Sequence, residues 1–264
     1  MIRKFYYLMS FFIFFILPFS SEISLADFME IELIYIKGGC YQMGDTFGDG
    51  EYDETPLHKV CVKDFYLGKY EITQGQWTKI MGNNPSAFPS GNSHPVEWVS
   101  WNDTQQFLKT INRVTGETYR LPTEAEWEFA CRARGQNIKF GTQTGNLTPH
   151  LANYGSEKFG EGSALDGFEF TSPVGSYPPN QLGLYDMSGN VWEWVSDWKE
   201  INDNYYQRSP EENPQGAEKT RRKVGRGGSW NFSSRALRCS NRFSNWIQAN
   251  CLSYGFRIAK DVIQ

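Results

Sequence analysis

Gly183-Leu184-Tyr185-Asp186-Met187-Ser188-Gly189-Asn190-Val191-Trp192-Glu193-Trp194 packs three aromatics, two carboxylates, an Asn and two glycines into twelve residues. Neither a helix period nor a strand alternation accounts for that mixture. A core segment has no need of Asp186, Asn190 and Glu193 between its rings, and a solvated loop has no need of two Trp and a Tyr. The pattern describes a buried, irregular turn whose oxygens converge while aromatics exclude water. Ca²⁺ suits such a turn, because it accepts carboxylate, amide and backbone oxygens in flexible geometry.

Outward from this segment, the first 26 residues read as an export signal. Arg3 and Lys4 precede an apolar run from Phe5 to Phe19, and Ser24-Leu25-Ala26 places small residues before a cut at Asp27. An uncleaved anchor is the alternative, but the run is short for a span and Pro18 interrupts its end. The N-terminal signal is thus the one membrane contact expected. No Cys lies in residues 1–39, which excludes a lipoprotein anchor there. Residues 27–264 then fit one large domain.

Aromatics form 16% of the chain, so the core is expected to be built from large rings. A net charge of −4 gives no electrostatic case for nucleic acid. Arg221-Arg222-Lys223 reads as a solvated loop. Five cysteines in an exported chain point to disulfides. Cys40 and Cys61 flank an expected hairpin and are paired; Cys131 and Cys239 are the next pair, leaving Cys251.

Strands are expected over residues 31–36 and 58–62, joined through an acidic, solvated loop from Gly44 to Glu54. Thr73 with Gln76 opens a helix through Met81. Ser100 opens another, with Phe107, Leu108, Ile111 and Val114 as its apolar stripe and Gly116 as its end. Thr123 with Glu126 opens a third, ended by Gly135. Beyond residue 136, Gly, Pro and Asn interrupt the chain every few residues. The class is α+β with much irregular structure. His58, His94 and His150 lack metal spacing, and no nucleophile elbow, phosphate loop or dinucleotide fingerprint is present. The paired glycines of Arg226-Gly227-Gly228-Ser229-Trp230 indicate a tight backbone approach beside a buried Trp.

Several of these stretches together resemble the sulfatase-modifying-factor family, the formylglycine-generating enzymes and their relatives. They include Tyr70-Glu71-Ile72-Thr73, residues 95–101 (PVEWVSW), residues 120–128 (RLPTEAEWE), residues 173–175 (PVG), the opening segment, residues 226–230 and Gly255-Phe256-Arg257. The resemblance implies a C-type-lectin-like fold with helices on small mixed sheets. It also implies one calcium site at Asp186, Gly189, Val191 and Glu193, and a second at Asn153, Tyr154, Asp166 and Phe168.

The family's oxidases hold copper(I) on two Cys thiolates, and soft thiolates suit Cu(I). Those positions fall here on Phe232 and on Leu237 or Ser234, so the pair is missing. Cys239 resembles a structural cysteine of the family whose partner is Cys131. The iron-dependent sulfoxide synthases of the family carry an extra histidine-bearing domain that this chain has no room for. The expectation is an exported, non-catalytic member binding a protein or peptide through its C-terminal face, with Phe232, Arg238, Arg242, Phe243, Trp246 and Tyr254 as contacts. The alternative is a formylglycine-generating oxidase acting on a sulfatase Cys, with copper as its cofactor.

Overall fold

Three reciprocal caps set the helices. Thr73 with Gln76, Ser100 with Asp103, and Thr123 with Glu126 each exchange side-chain and backbone hydrogen bonds. Each box satisfies amide donors that the first helical turn leaves orphaned. In the computed structural model, which describes residues 31–156, 166–200, 202 and 204–263, they open α1 (Gln74–Met81), α2 (Trp101–Thr115) and α3 (Glu124–Cys131). Gly82 and Gly116 end the first two at φ 80° and 73°. α3 stops at Cys131, short of the expected Gly135. Arg132 turns inward instead, with one guanidinium nitrogen donating to the Gly44 carbonyl at 2.7 Å, and the chain leaves through positive φ at Ala133 and Arg134.

The strands are β1 (Leu33–Ile36), β2 (Gly39–Met43), β3 (His58–Val62), β4 (Phe65–Gly68), β5 (Tyr119–Arg120), β6 (Trp192–Trp198), β7 (Arg222–Arg226), β8 (Phe243–Trp246), β9 (Tyr254–Gly255) and β10 (Ala259–Asp261). They form sheets of order β1-β4-β10-β5, β2-β3 and β8-β7-β6-β9. β6 and β9 are parallel and the other pairings antiparallel, so the fold is α+β with small mixed sheets. Cys40 faces Cys61 across β2 and β3, and the two are bonded. Cys131 at the end of α3 is bonded to Cys239. Both expected pairs are present.

α3 is buried along its whole length. Trp127 and Phe129 on α3, and Trp192 and Trp194 on β6, are at most 1% exposed. Two of the acidic residues of α3 are neutralised from the C-terminal half, Arg226 reaching Glu124 and Glu128 and Arg242 reaching Glu124 at 2.6 Å, while Glu126 pairs with Arg120. Burial opposes ionisation of Glu124, but Arg242 and Arg226 hold it down at about 2.

Two expectations about loops are corrected here. The acidic loop is not simply solvated: Asp45 accepts amide hydrogens from Phe47, Gly48 and Gly50, and Glu54 is fully buried. Arg222 and Lys223 belong to β7, and Lys223 is only 3% exposed. Its ammonium lies 3.7 Å from the Trp198 ring centre and 4.3 Å from that of Trp101, a favourable cation–π setting. The expected signal at 1–26 lies outside the described residues. Among the described residues no helix is long and apolar enough to cross a membrane.

Candidate functional site

The opening segment forms the turn that enters β6, with positive φ at Asp186, Gly189 and Asn190. Gly189 is required sterically, since a Cβ there would sit 2.2 Å from the Asn153 carbonyl oxygen. Asn190 crosslinks the turn. Its amide nitrogen donates to Glu71 at 2.8 Å, and its side-chain oxygen accepts from the Ser172 amide at 3.0 Å.

Glu193 accepts from the Trp127 indole at 2.8 Å and from two Arg257 nitrogens at 2.7 Å each. Arg257 also donates to the carbonyls of Gly68 and Tyr185. Among the described residues Arg257 thus pairs directly with Glu193 alone, and its charge reaches Glu71 and Asp186 only at longer range. Burial, then the charges of Asp186 and Glu193, pushes Glu71 well above the carboxylate range. Burial likewise pushes Asp186 up to about 6. A hard divalent cation would relieve the crowding of these three buried carboxylates. Glu193 is committed to Arg257 and Glu71 to Asn190 and Val191, so Asp186, which among the described residues accepts only from the Gly175 amide, is the carboxylate most open to a cation.

The second expected site is also drawn together. Asp166 accepts from the amides of Tyr154 at 3.1 Å and Phe168 at 3.0 Å. The Asn153 amide nitrogen donates to the Phe170 carbonyl at 2.8 Å, while its side-chain oxygen is buried without a partner. A buried acceptor left bare costs free energy, and a bound cation would relieve that cost. The donor set fits calcium. The two sites touch through the Asn190 amide, which donates to the Asn153 carbonyl at 2.9 Å.

The copper positions do not fit copper. Phe232 lies edge-on to Trp192 at 5.3 Å, and Leu237 is fully buried. Ser234 opens a single 3₁₀ turn. Cys239 is bonded to Cys131, which leaves Cys251 as the free thiol. Its sulfur lies 2.9 Å from the Asn245 amide nitrogen, and burial raises its pKa. One protonated thiol does not make a two-thiolate site.

The expected ligand face divides in two. Arg238, Arg242 and Tyr254 are corrected to internal residues, with 2%, 5% and 2% exposure. Arg238 makes a two-point pair with Glu54 at 2.7 and 2.8 Å. Arg242 does the same with Glu124 and lies 4.1 Å from the Tyr206 ring centre. Tyr254 packs on Trp194 at 4.4 Å. Guanidiniums with matched carboxylates can be buried, and the carboxylates come from distant parts of the chain. Phe243 and Trp246 remain at the surface, 44% and 40% exposed, and Phe232 lies 6.0 Å from Phe243 at its margin.

The pairing roles of Glu71, Arg257, Glu54 and Glu124 are not visible in local sequence. Glu71, Glu124 and Arg257 nevertheless sit in stretches that carry the family resemblance.

A turn with clustered oxygens on small mixed sheets, closed by two disulfides, defines a C-type-lectin-like domain of the sulfatase-modifying type. The family model described as sulfatase-modifying factor enzyme 1-like domain matches residues 23–262, and the chain belongs to this family. The formylglycine-generating enzyme of Mus musculus is 34% identical over 91% of this chain and 64% of its own length. The chain thus spans less than two thirds of that relative. The inactive C-alpha-formylglycine-generating enzyme 2 of Bos taurus is 27% identical, with 90% of each covered. Among solved structures, PvdO from Pseudomonas aeruginosa superposes with a TM-score of 0.75 at 30% identity, covering 88% of this chain and 95% of its own.

Proposed function

We propose that this chain is an exported, non-catalytic member of its family that binds a protein or peptide through the exposed rings Phe243 and Trp246. The observation that carries this reading is the fate of the sulfurs. The thiolate positions hold Phe232 and Leu237 or Ser234, and Cys239 is bonded to Cys131. Two large rings left 40–44% exposed support a recognition role. Calcium is the proposed cofactor, held at Asp186 with Gly189, Val191 and Glu193, and at Asn153, Tyr154, Asp166 and Phe168. It would fix the turn from which the C-terminal face is built.

Two measurements test the reading. The purified chain is loaded with copper(I) and incubated in air with a Cys-Thr-Pro-Ser-Arg peptide, and the peptide mass is followed. The expected result is no aldehyde; aldehyde formation that disappears in Cys251→Ser would instead establish the oxidase. A displayed library of random peptides is then selected on the same protein. Binders should be lost on Phe243→Ser/Trp246→Ser at unchanged melting temperature, and binders that ignore this change would remove the ligand face.

A further inference from the structure

We propose that the groove beside Trp246, at the outer edge of β8, holds an extended acidic peptide segment of a partner protein. This rests on the ligand-binding reading and names the chemistry of its partner. The groove encloses about 830 Å³. Lys219, Arg221, Arg222, Ser244 and Trp246 line it, together with Lys199 and Glu200. Glu200 is held by Arg208, and Lys199 pairs with Asp53. Lys219, Arg221 and Arg222 are exposed and have no carboxylate partner among the described residues. Three unpaired cations on a chain of net charge −4 are a local concentration that an anionic partner would complement.

The geometry favours a peptide over a single anion. The cations are spread along the groove and exposed, whereas a phosphate or sulfate site gathers buried donors around one point. The Arg222 guanidinium lies 5.0 Å from the Trp246 ring centre, which presents an aromatic wall beside the charges. β8 is an edge strand. The Ile247 amide donates to the Arg221 carbonyl, so the alternation of the ladder turns the backbone of Lys223 and Asn245 toward each other. The Ser244 amide and carbonyl then face outward, open to a bridging strand residue.

The test uses fluorescence anisotropy with a labelled (Glu-Ser)6 peptide and a labelled (Lys-Ser)6 control on the purified protein. The Glu peptide should bind, and added salt should weaken it. Lys219→Glu/Arg221→Glu/Arg222→Glu should weaken it by at least about tenfold; if that variant unfolds, Lys219→Ala/Arg221→Ala is read in its place. Equal binding of the Lys peptide overturns the proposal, as does full binding by a folded charge variant. Displacement by sodium sulfate far beyond that by sodium chloride of equal ionic strength also overturns it, because the groove then reads isolated anions. A library-selected ligand lost on Phe243→Ser/Trp246→Ser but kept by the charge variant sinks this inference alone and leaves the ligand face standing.

Discussion

Glu193 on β6 and Arg257 beyond β9 form a two-point ion pair in which neither side chain is exposed. Removing one partner strands a buried charge, which costs about 3–5 kcal/mol. Arg257→Met is therefore expected to lower the urea midpoint sharply, and Glu193→Gln/Arg257→Met to recover part of the loss through non-additivity. A single-variant cost below about 1 kcal/mol, within the range of an exposed pair, would count against the pair as a structural anchor.

Calcium should stabilise the folded chain. At about 100 times its dissociation constant, a ligand that binds only the folded state contributes about 2.7 kcal/mol per site. Melting in calcium against melting in chelator measures this directly. Asp166→Ala is expected to remove one of two binding steps in calorimetry, and Asp186→Ala the other. Identical melting curves with and without calcium would dismiss both sites.

The two disulfides should differ in weight. Cys131 and Cys239 are 108 residues apart and Cys40 and Cys61 only 21. In the chain-entropy account, closing a loop of about 100 residues contributes about 4.7 kcal/mol and one of about 15 residues about 3. Cys131→Ala/Cys239→Ala is expected to lose more stability than Cys40→Ala/Cys61→Ala. The reverse order in equilibrium unfolding would contradict it.

Stability should fall as pH rises from about 4 to about 7. Burial, then the neighbouring Glu124 carboxylate, pushes Asp197 from its ordinary 3.8 up to about 7. Burial similarly raises Glu97 to about 7. Between these values the folded chain keeps protons that the unfolded chain has lost. Their contribution is complete below the unfolded pKa and disappears as pH rises through about 7. Each group gives a slope of up to about 1.4 kcal/mol per pH unit. Asp197→Asn should flatten the curve between about pH 4 and 7, and an unchanged slope would refute the assignment.

Local signals in the chain were faithful. The boxes at Thr73, Ser100 and Thr123 act over three residues, so sequence alone reveals them. The opening segment likewise carries its own turn in Asp186, Gly189 and Asn190. Arg238 and Arg242 were hidden because their partners, Glu54 and Glu124, lie 184 and 118 residues away. Lys223 was misread as a solvated residue for the same reason, since its stacking partner Trp101 comes from α2. The end of α3 depended on Arg132 finding the Gly44 carbonyl, which no helix-stop signal encodes.

The segment from Phe232 to Tyr254 directs Arg238, Arg242 and Tyr254 inward while Phe243 and Trp246 point out. Anchoring side chains and exposed rings thus share one short stretch. On the proposed binding reading, replacing an outward ring changes what can dock and leaves the inward guanidiniums holding the loop. Partner choice is thereby free to drift in evolution without dismantling the domain that presents it.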